Sequence, residues 1–201
     1  MSDIEVRRAR PEDLGAAAAV LSQAFSTDEV SVAALARPRD PRRALRTVFT
    51  SLLRHHYLPR GVVDLALSDG EVVGVAAWSG PGAVAFTPRE TVWVLADLVP
   101  RLGWRMAPAT LYDWRTDRVH PRERHWYLYS MGAARPGNGV GGALLDHALA
   151  RAGATPSYCE ASTPDSARLY HRKGFRRIGE APTPSGCPPQ PQMWHPGAQR
   201  R

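Results

Sequence analysis

The sequence predicts an α/β chain of the α+β kind, a sheet of strands covered by helices. Three observations carry that reading. Residues 62–67 and 72–78 are apolar, β-branched-rich runs flanking Ser68-Asp69-Gly70-Glu71, which makes a hairpin with an Asp-Gly turn. Residues 125–150 change period from strand to helix across a glycine loop. Several helix starts announce themselves: Asp40-Pro41, the capping box Thr87-Pro88-Arg89-Glu90, and Thr163-Pro164.

In chain order, residues 4–8 alternate apolar and charged side chains and form the first strand. Pro11 opens a helix with Leu14, Ala17, Ala18, Leu21 and Phe25 at helical spacing. Residues 27–39 show no regular pattern. After the Asp40 cap, Ala44, Leu45, Val48, Leu52 and Leu53 make the buried stripe of a helix ending at His55-His56-Tyr57. Adjacent histidines on a helix point in different directions, and no third ligand is near in sequence, so no metal site is expected there. Trp78, at the end of the hairpin, reads either as core or as pocket lining.

The Thr87 box opens a helix to about Leu98, which Pro100 disturbs, and a further helix runs from Pro108 to about Arg118. Residues 86–118 carry Trp93, Trp104, Met106, Tyr112 and Trp114 in a long excursion between strands. Either these aromatics cover an acceptor site or they pack the helices onto the sheet. Residues 125–131 form a strand and Val140, Leu144, Leu145, His147 and Leu149 lie on the helix that follows the loop. Residues 157–161 make a short strand, 165–173 a helix stopped by Gly174, 175–179 another strand, and 192–195 the last one.

A chain of 201 residues suits one domain over residues 1–195, with a disordered tail at 196–201. The net charge of +7 raises nucleic-acid binding, but the arginines are scattered from Arg7 to Arg201 and Lys173 is the single lysine. With no basic run and no aromatic stacking platform, no nucleic-acid partner is expected. A basic chain suits a polyanionic small ligand instead. No run of 18 apolar residues and no apolar signal segment occurs, so the expectation is a cytoplasmic protein with no membrane partner. Cys159 and Cys187 fit neither a metal spacing nor a disulfide framework.

Gly137, Gly139, Gly141 and Gly142 fall within six residues and open the helix at Val140. Such a loop aims unpaired N–H groups and the positive end of a helix dipole at one point, a place for phosphate. Gly137 to Gly142 match G-x-G-x-x-G, and Glu160 lies about 20 residues on, where a dinucleotide fold keeps its ribose-binding acid. Against NAD, Gly132 to Pro136 separate strand from loop, and only one more strand-helix-strand follows.

The strand, the PGNGVGGALL loop and helix, CEASTPDSARLY, and Tyr170-His171-Arg172-Lys173-Gly174-Phe175 together resemble the GNAT superfamily of acetyl-CoA-dependent N-acyltransferases. Within it, HWYL, the E-x-S-x-P pattern and a late Met193-Trp194 strand are most similar to the puromycin N-acetyltransferase group. The resemblance implies a GNAT-type fold: a central, mixed, mostly antiparallel sheet of six or seven strands, with strands 4 and 5 splayed and helices flanking. It implies acetyl-CoA as cosubstrate, no metal, and direct acetyl transfer to a primary amine of a small molecule such as an antibiotic or metabolite. A homodimer is compatible with it. Protein or peptide N-acetylation is the nearest variant; a non-catalytic acyl-CoA-binding regulator and, further off, an NAD-binding oxidoreductase are the alternatives.

By the same resemblance, backbone around Met131, Gly132 and Ala133 faces the thioester, and Gly137, Asn138, Gly139, Val140, Gly141 and Gly142 receive the pyrophosphate. Tyr170 stands at the position that protonates the departing thiolate. Pro136 replaces the usual Gln or Arg before the glycines, leaving Arg135 to substitute. Thr163 and Ser166 replace two asparagines, with Ser166 able to bond the pantetheine arm. The general base is open between Glu160, which faces opposite to Cys159 and Ala161, and His125 at the start of the preceding strand.

Overall fold

The structure is a computed structural model describing residues 4–83 and 85–198, without the side chains of Thr110, Asp113, Trp114 and Asp117. The hairpin forms as its turn chemistry demands. Strands β2 (Val62–Ser68) and β3 (Glu71–Ser79) pair antiparallel around Asp69 at φ 51° and Gly70 at φ 80°, the doubly left-handed turn that matches strand twist. On one side β2 takes β1 (Glu5–Arg8); on the other β3 takes β4 (Trp126–Ala133). Beyond β4 come β5 (Ser157–Glu160), β7 (Gln190–His195) and β6 (Arg176–Ala181), giving the order β1-β2-β3-β4-β5-β7-β6. All neighbours are antiparallel except β4 and β5. The seven strands and the mixed, mostly antiparallel sheet match the expected fold class. The last strand, short and proline-bearing, is interior to the sheet, and Pro191 still contributes its carbonyl to Ala161 N–H.

Helices cover both faces. On one lie α1 (Leu14–Phe25), α3 (Pro41–Leu52) and α5 (Pro88–Leu102), whose Leu21, Leu45, Phe49 and Leu98 join Leu65 and Val75 of the sheet in one core. On the other lie α7 (Val140–Ala152) and α8 (Pro164–Arg172), where Leu144, Leu145 and Tyr170 meet Ala66, Ala76, Trp78 and Cys159. Trp78 is therefore a core residue. The irregular stretch after α1 contains α2 (Glu29–Ala34), capped by Asp28, whose carboxylate accepts from Ser31 N–H.

Two helices run further than expected. α3 does not end at His55-His56-Tyr57 but continues through a π-turn, Leu53–Tyr57, into the short α4 (Leu58–Arg60). Leu58 N–H reaches back to Leu53 O, so the wide turn absorbs the extra residue. α5 passes through Pro100 to Leu102; both Pro100 and Ala96, whose carbonyl loses its helical partner, are exposed, so the carbonyl is not left buried and unpaired. Then α6 (Ala107–Val119) leads back to β4.

This α5–α6 excursion leaves Trp93 and Trp104 outward. Trp93 is 52 % exposed and Trp104 70 %, with Arg105 lying over the Trp104 ring. Met106 packs on the first core and Tyr112 reaches β7, donating its hydroxyl proton to Gln190 Oε1 at 2.9 Å. The Trp114 side chain and residues 199–201 of the tail expected at 196–201 lie outside the described residues. Within that expected tail, Ala198 N–H is bonded to Gly153 O at 2.7 Å, so residues 196–198 continue the ordered chain.

Candidate active site

The site begins as a fork in the sheet. β4 and β5 run parallel for three pairs only, ending at Leu128↔Cys159, while β4 stays paired to β3 as far as Ala133. Register with β3 slips between Ala77 and Trp78, so Tyr129 is the extra residue of a bulge where β5 departs. From Tyr129 to Ala133 the β5-facing edge of β4 has no strand partner among the described residues. Met131 and Ala133 pack toward α7, and Gly132 lies beneath α1, where a Cβ would stand 2.7 Å from the Ala24 Cβ. Only glycine permits that approach.

The mouth of the fork leads to the α7 loop. Gly137 at φ 92° and Gly139 at φ 77° have open space where a Cβ would stand, and Arg135 and Asn138 are exposed. Gly139 is the N-cap of α7 and no side chain caps the helix, although α2, α3, α5 and α8 each have a side-chain cap. The first-turn N–H groups are thus left for an anion, in the field of the helix dipole. Val140 is buried, and Gly141 and Gly142 allow Leu169 and the Lys173 side chain to come close. Lys173 Nζ, paired with Asp146 at 2.5 Å, adds a cation beside that turn. Uncapped donors, open glycines and a nearby ammonium fit a pyrophosphate. Ser166 is placed otherwise than by a free hydroxyl: it closes the α8 capping box, donating to Thr163 O at 2.8 Å.

Tyr170 lies on α8, buried in the second core with its ring 5.6 Å from Phe175. Burial, then the neighbouring Cys159 and Glu160, push its hydroxyl well above the ordinary phenol range, so it stays protonated.

Glu160 projects to the opposite face of the sheet from Cys159. Tyr127 donates to Glu160 Oε2 at 3.1 Å, and the carboxylate side chain is 8 % exposed. Tyr127 stacks on Tyr158 at 5.9 Å, Tyr129 stacks on Tyr57 at 4.9 Å, and Gln192 Nε2 donates to the Tyr158 hydroxyl at 2.8 Å. Burial, then Glu160, pushes the Tyr127 and Tyr158 hydroxyls up. Five of the six tyrosines gather here.

The imidazole beside Glu160 is His120, not His125. His120 Nε2 stands 3.7 Å from Glu160 Oε1, and its ring meets Tyr127 and Tyr158 edge-on at 4.5 and 4.7 Å. His125 is buried 5.6 Å further back, its Nδ1–H donating to Glu123 O at 2.6 Å. The loop from His120 to His125 carries no motif, and only tertiary structure inserts His120 between the tyrosines.

Burial, with His125 a lesser cause, lowers His120 to about 4 from the usual 6.5. At 3.7 Å the Glu160 carboxylate is beyond hydrogen-bond reach, and burial outweighs what attraction it exerts on the charged imidazole. The unfolded chain takes up the proton near 6.5 and the folded one near 4, so stability is full above pH 6.5 and declines as pH falls toward 4. We expect His120 to contribute a loss of about 2–3 kcal/mol across that window. Urea midpoints at pH 7 and pH 4.5 check this: His120→Gln should flatten the slope, and an unaltered slope would contradict it.

No helix of the described residues is long and apolar enough to cross a membrane, and no group of three or more potential metal ligands occurs among them. No family model matches the chain. Among solved structures, the chain is 33 % identical to one from Corynebacterium glutamicum described as histone acetyltransferase HPA2 and related acetyltransferase, covering 100 % of this chain and 99 % of that one with a TM-score of 0.79. An N-acetyltransferase from Staphylococcus aureus Mu50 superposes with a TM-score of 0.66 at 16 % identity, over 94 % of this chain and 98 % of that one. An agmatine N-acetyltransferase in its apo form does so with a TM-score of 0.54, also at 16 % identity, over 96 % and 98 %.

Proposed function

The chain belongs to the GNAT family of acetyltransferases, and from that premise we propose that it uses acetyl-CoA to acetylate the primary amine of a small molecule by direct transfer. The observation that carries this is the β4–β5 fork, which opens on the uncapped α7 terminus along one face and on Glu160 with its tyrosines along the other. The reading extends to a single acetyltransferase domain and, within the family, to the puromycin-type arrangement suggested by HWYL and the Met193-Trp194 strand.

Acetyl-CoA, when bound, supplies an activated acyl group as a thioester. The chain holds it by the first-turn N–H groups of α7 and by Arg135 and Lys173 near its phosphates. The unpaired β4 edge at Met131–Ala133 offers N–H groups to the carbonyl, where they act as a preorganised dipole. Glu160 takes the proton from the amine, its orientation held by Tyr127 and its water access limited by His120. Tyr170, kept protonated by burial, gives a proton to the departing sulfur.

Titration calorimetry with acetyl-CoA, with NAD as control, tests the premise about the ligand; micromolar binding of acetyl-CoA alone is expected. Amines are then screened by thiol release. Tyr170→Phe should lower kcat about 10- to 100-fold with an unchanged melting temperature. Full activity in that variant would remove Tyr170 as the acid.

A further inference from the structure

On the helical layer opposite α7, a groove of about 270 Å³ runs between α3 with its π-turn and α5. Arg43, Arg46 and Arg54 line one wall and Arg101 the other, with Ser51 on the floor. Asp97 is the single acid lining it. That carboxylate is already engaged: His55 Nε2 lies at 2.9 Å, Arg54 Nη1 at 3.8 Å and Arg101 Nη1 at 4.0 Å. Burial works against its ionisation, but the His55 contact together with the Ser51 hydroxyl and the Arg54 charge outweigh it and hold Asp97 below its ordinary value. The groove therefore carries four guanidiniums against one carboxylate. Arg43 and Arg46, one turn apart on α3, have no carboxylate within ion-pair distance among the described residues.

Like charges gathered in a concave site raise a positive potential that a bound anion relieves. Guanidiniums are planar forks that match phosphate oxygens two at a time. The volume lies just under the range of sites for drug-sized ligands, about 300–1,000 Å³, so it suits a small, highly charged group. We propose that this groove is a second anion site, binding a diphosphate or a small phosphate ester, separate from the α7 loop and on the other side of the sheet.

The test is calorimetric titration of the full chain with inorganic pyrophosphate, in wild type, in Arg43→Glu/Arg46→Glu, in the loop variant Gly139→Val and in the two combined. Both arginines are exposed, so the double variant should keep the wild-type melting temperature; Arg46→Gln is a milder second probe. The expected result is pyrophosphate binding that persists in Gly139→Val, weakens at least tenfold when Arg43→Glu/Arg46→Glu is added to that loop variant, and weakens as salt is raised. Acetyl-CoA binding should show the reverse pattern, which separates failure of this proposal from failure of the coenzyme reading. Pyrophosphate binding lost in Gly139→Val and untouched by the groove variants would overturn the proposal, as would no binding at all. Equal affinity for a tetraglutamate peptide would overturn the phosphate class.

Discussion

Replacing Glu160 by glutamine is expected to lower kcat about 100- to 1,000-fold at neutral pH, with acetyl-CoA affinity within about twofold of wild type. Glutamine keeps the shape and retains an oxygen to accept from Tyr127, so the tyrosine stack need not rearrange. What is lost is a basic oxygen. An amine presented as ammonium must give up a proton before it can attack, and in the proposed mechanism the Glu160 carboxylate receives it. The defect should therefore shrink as pH approaches the amine's own pKa, because solution then supplies the neutral form. Rate measurements from pH 7 to pH 9.5 on both proteins decide it. A deficit of constant size across that range would make Glu160 a positioning residue instead of the base. His120→Gln should leave kcat closer to wild type, since an imidazole held to about 4 is neutral at working pH and does not compete for the proton.

The parts of this site that could be read from the sequence are those built by local chemistry. Positive φ at Gly137 and Gly139, the Thr163–Ser166 box and the Asp69-Gly70 turn each follow from residues within one or two positions of where they act. The strand-loop-helix unit made the glycine loop and the start of α7 readable for the same reason. Glu160 was legible because strand alternation sets it opposite Cys159, which sits in the second core.

His120 was not legible, because its place depends on α6 delivering the chain to the edge of β5 and β7, a contact between elements far apart in sequence. Tyr127 and Tyr158 read as generic strand aromatics until the parallel pairing set them side by side. Ser166 shows local chemistry beside family position: the resemblance assigns it a ligand contact, and its hydroxyl proton goes to Thr163 O in the capping box. Trp93 and Trp104 of the α5–α6 excursion, exposed in the fold, do not show the packing onto the sheet that was one of the two sequence readings. Aromatic content says that area can be buried, and says nothing of which face the helix turns inward.

The largest effect on stability should come from a pair that no local pattern announces. Asp64 stands in the middle of β2 with its side chain fully buried, and Arg151 near the end of α7 reaches it at 2.8 Å while its guanidinium lies over Trp126. His147 Nε2 approaches the same oxygen at 3.8 Å. Arg151→Ala leaves a buried carboxylate without its cation, which costs about 3 kcal/mol, at the low end for buried pairs because Arg151 is partly solvent-accessible. For a chain of this size that is a fall of roughly 6–12 °C in melting temperature. The pair also clamps α7 onto the sheet, and α7 carries the uncapped terminus at its other end. The variant should therefore raise KM for acetyl-CoA with little change in kcat, the signature of a displaced binding element. Asp64→Val with Arg151→Met in one chain removes both charges together and should recover most of the lost stability, because apolar packing replaces a costly desolvated pair. A double variant as unstable as Arg151→Ala would mean that packing around the arginine stem, and not its charge, is what holds the helix in place.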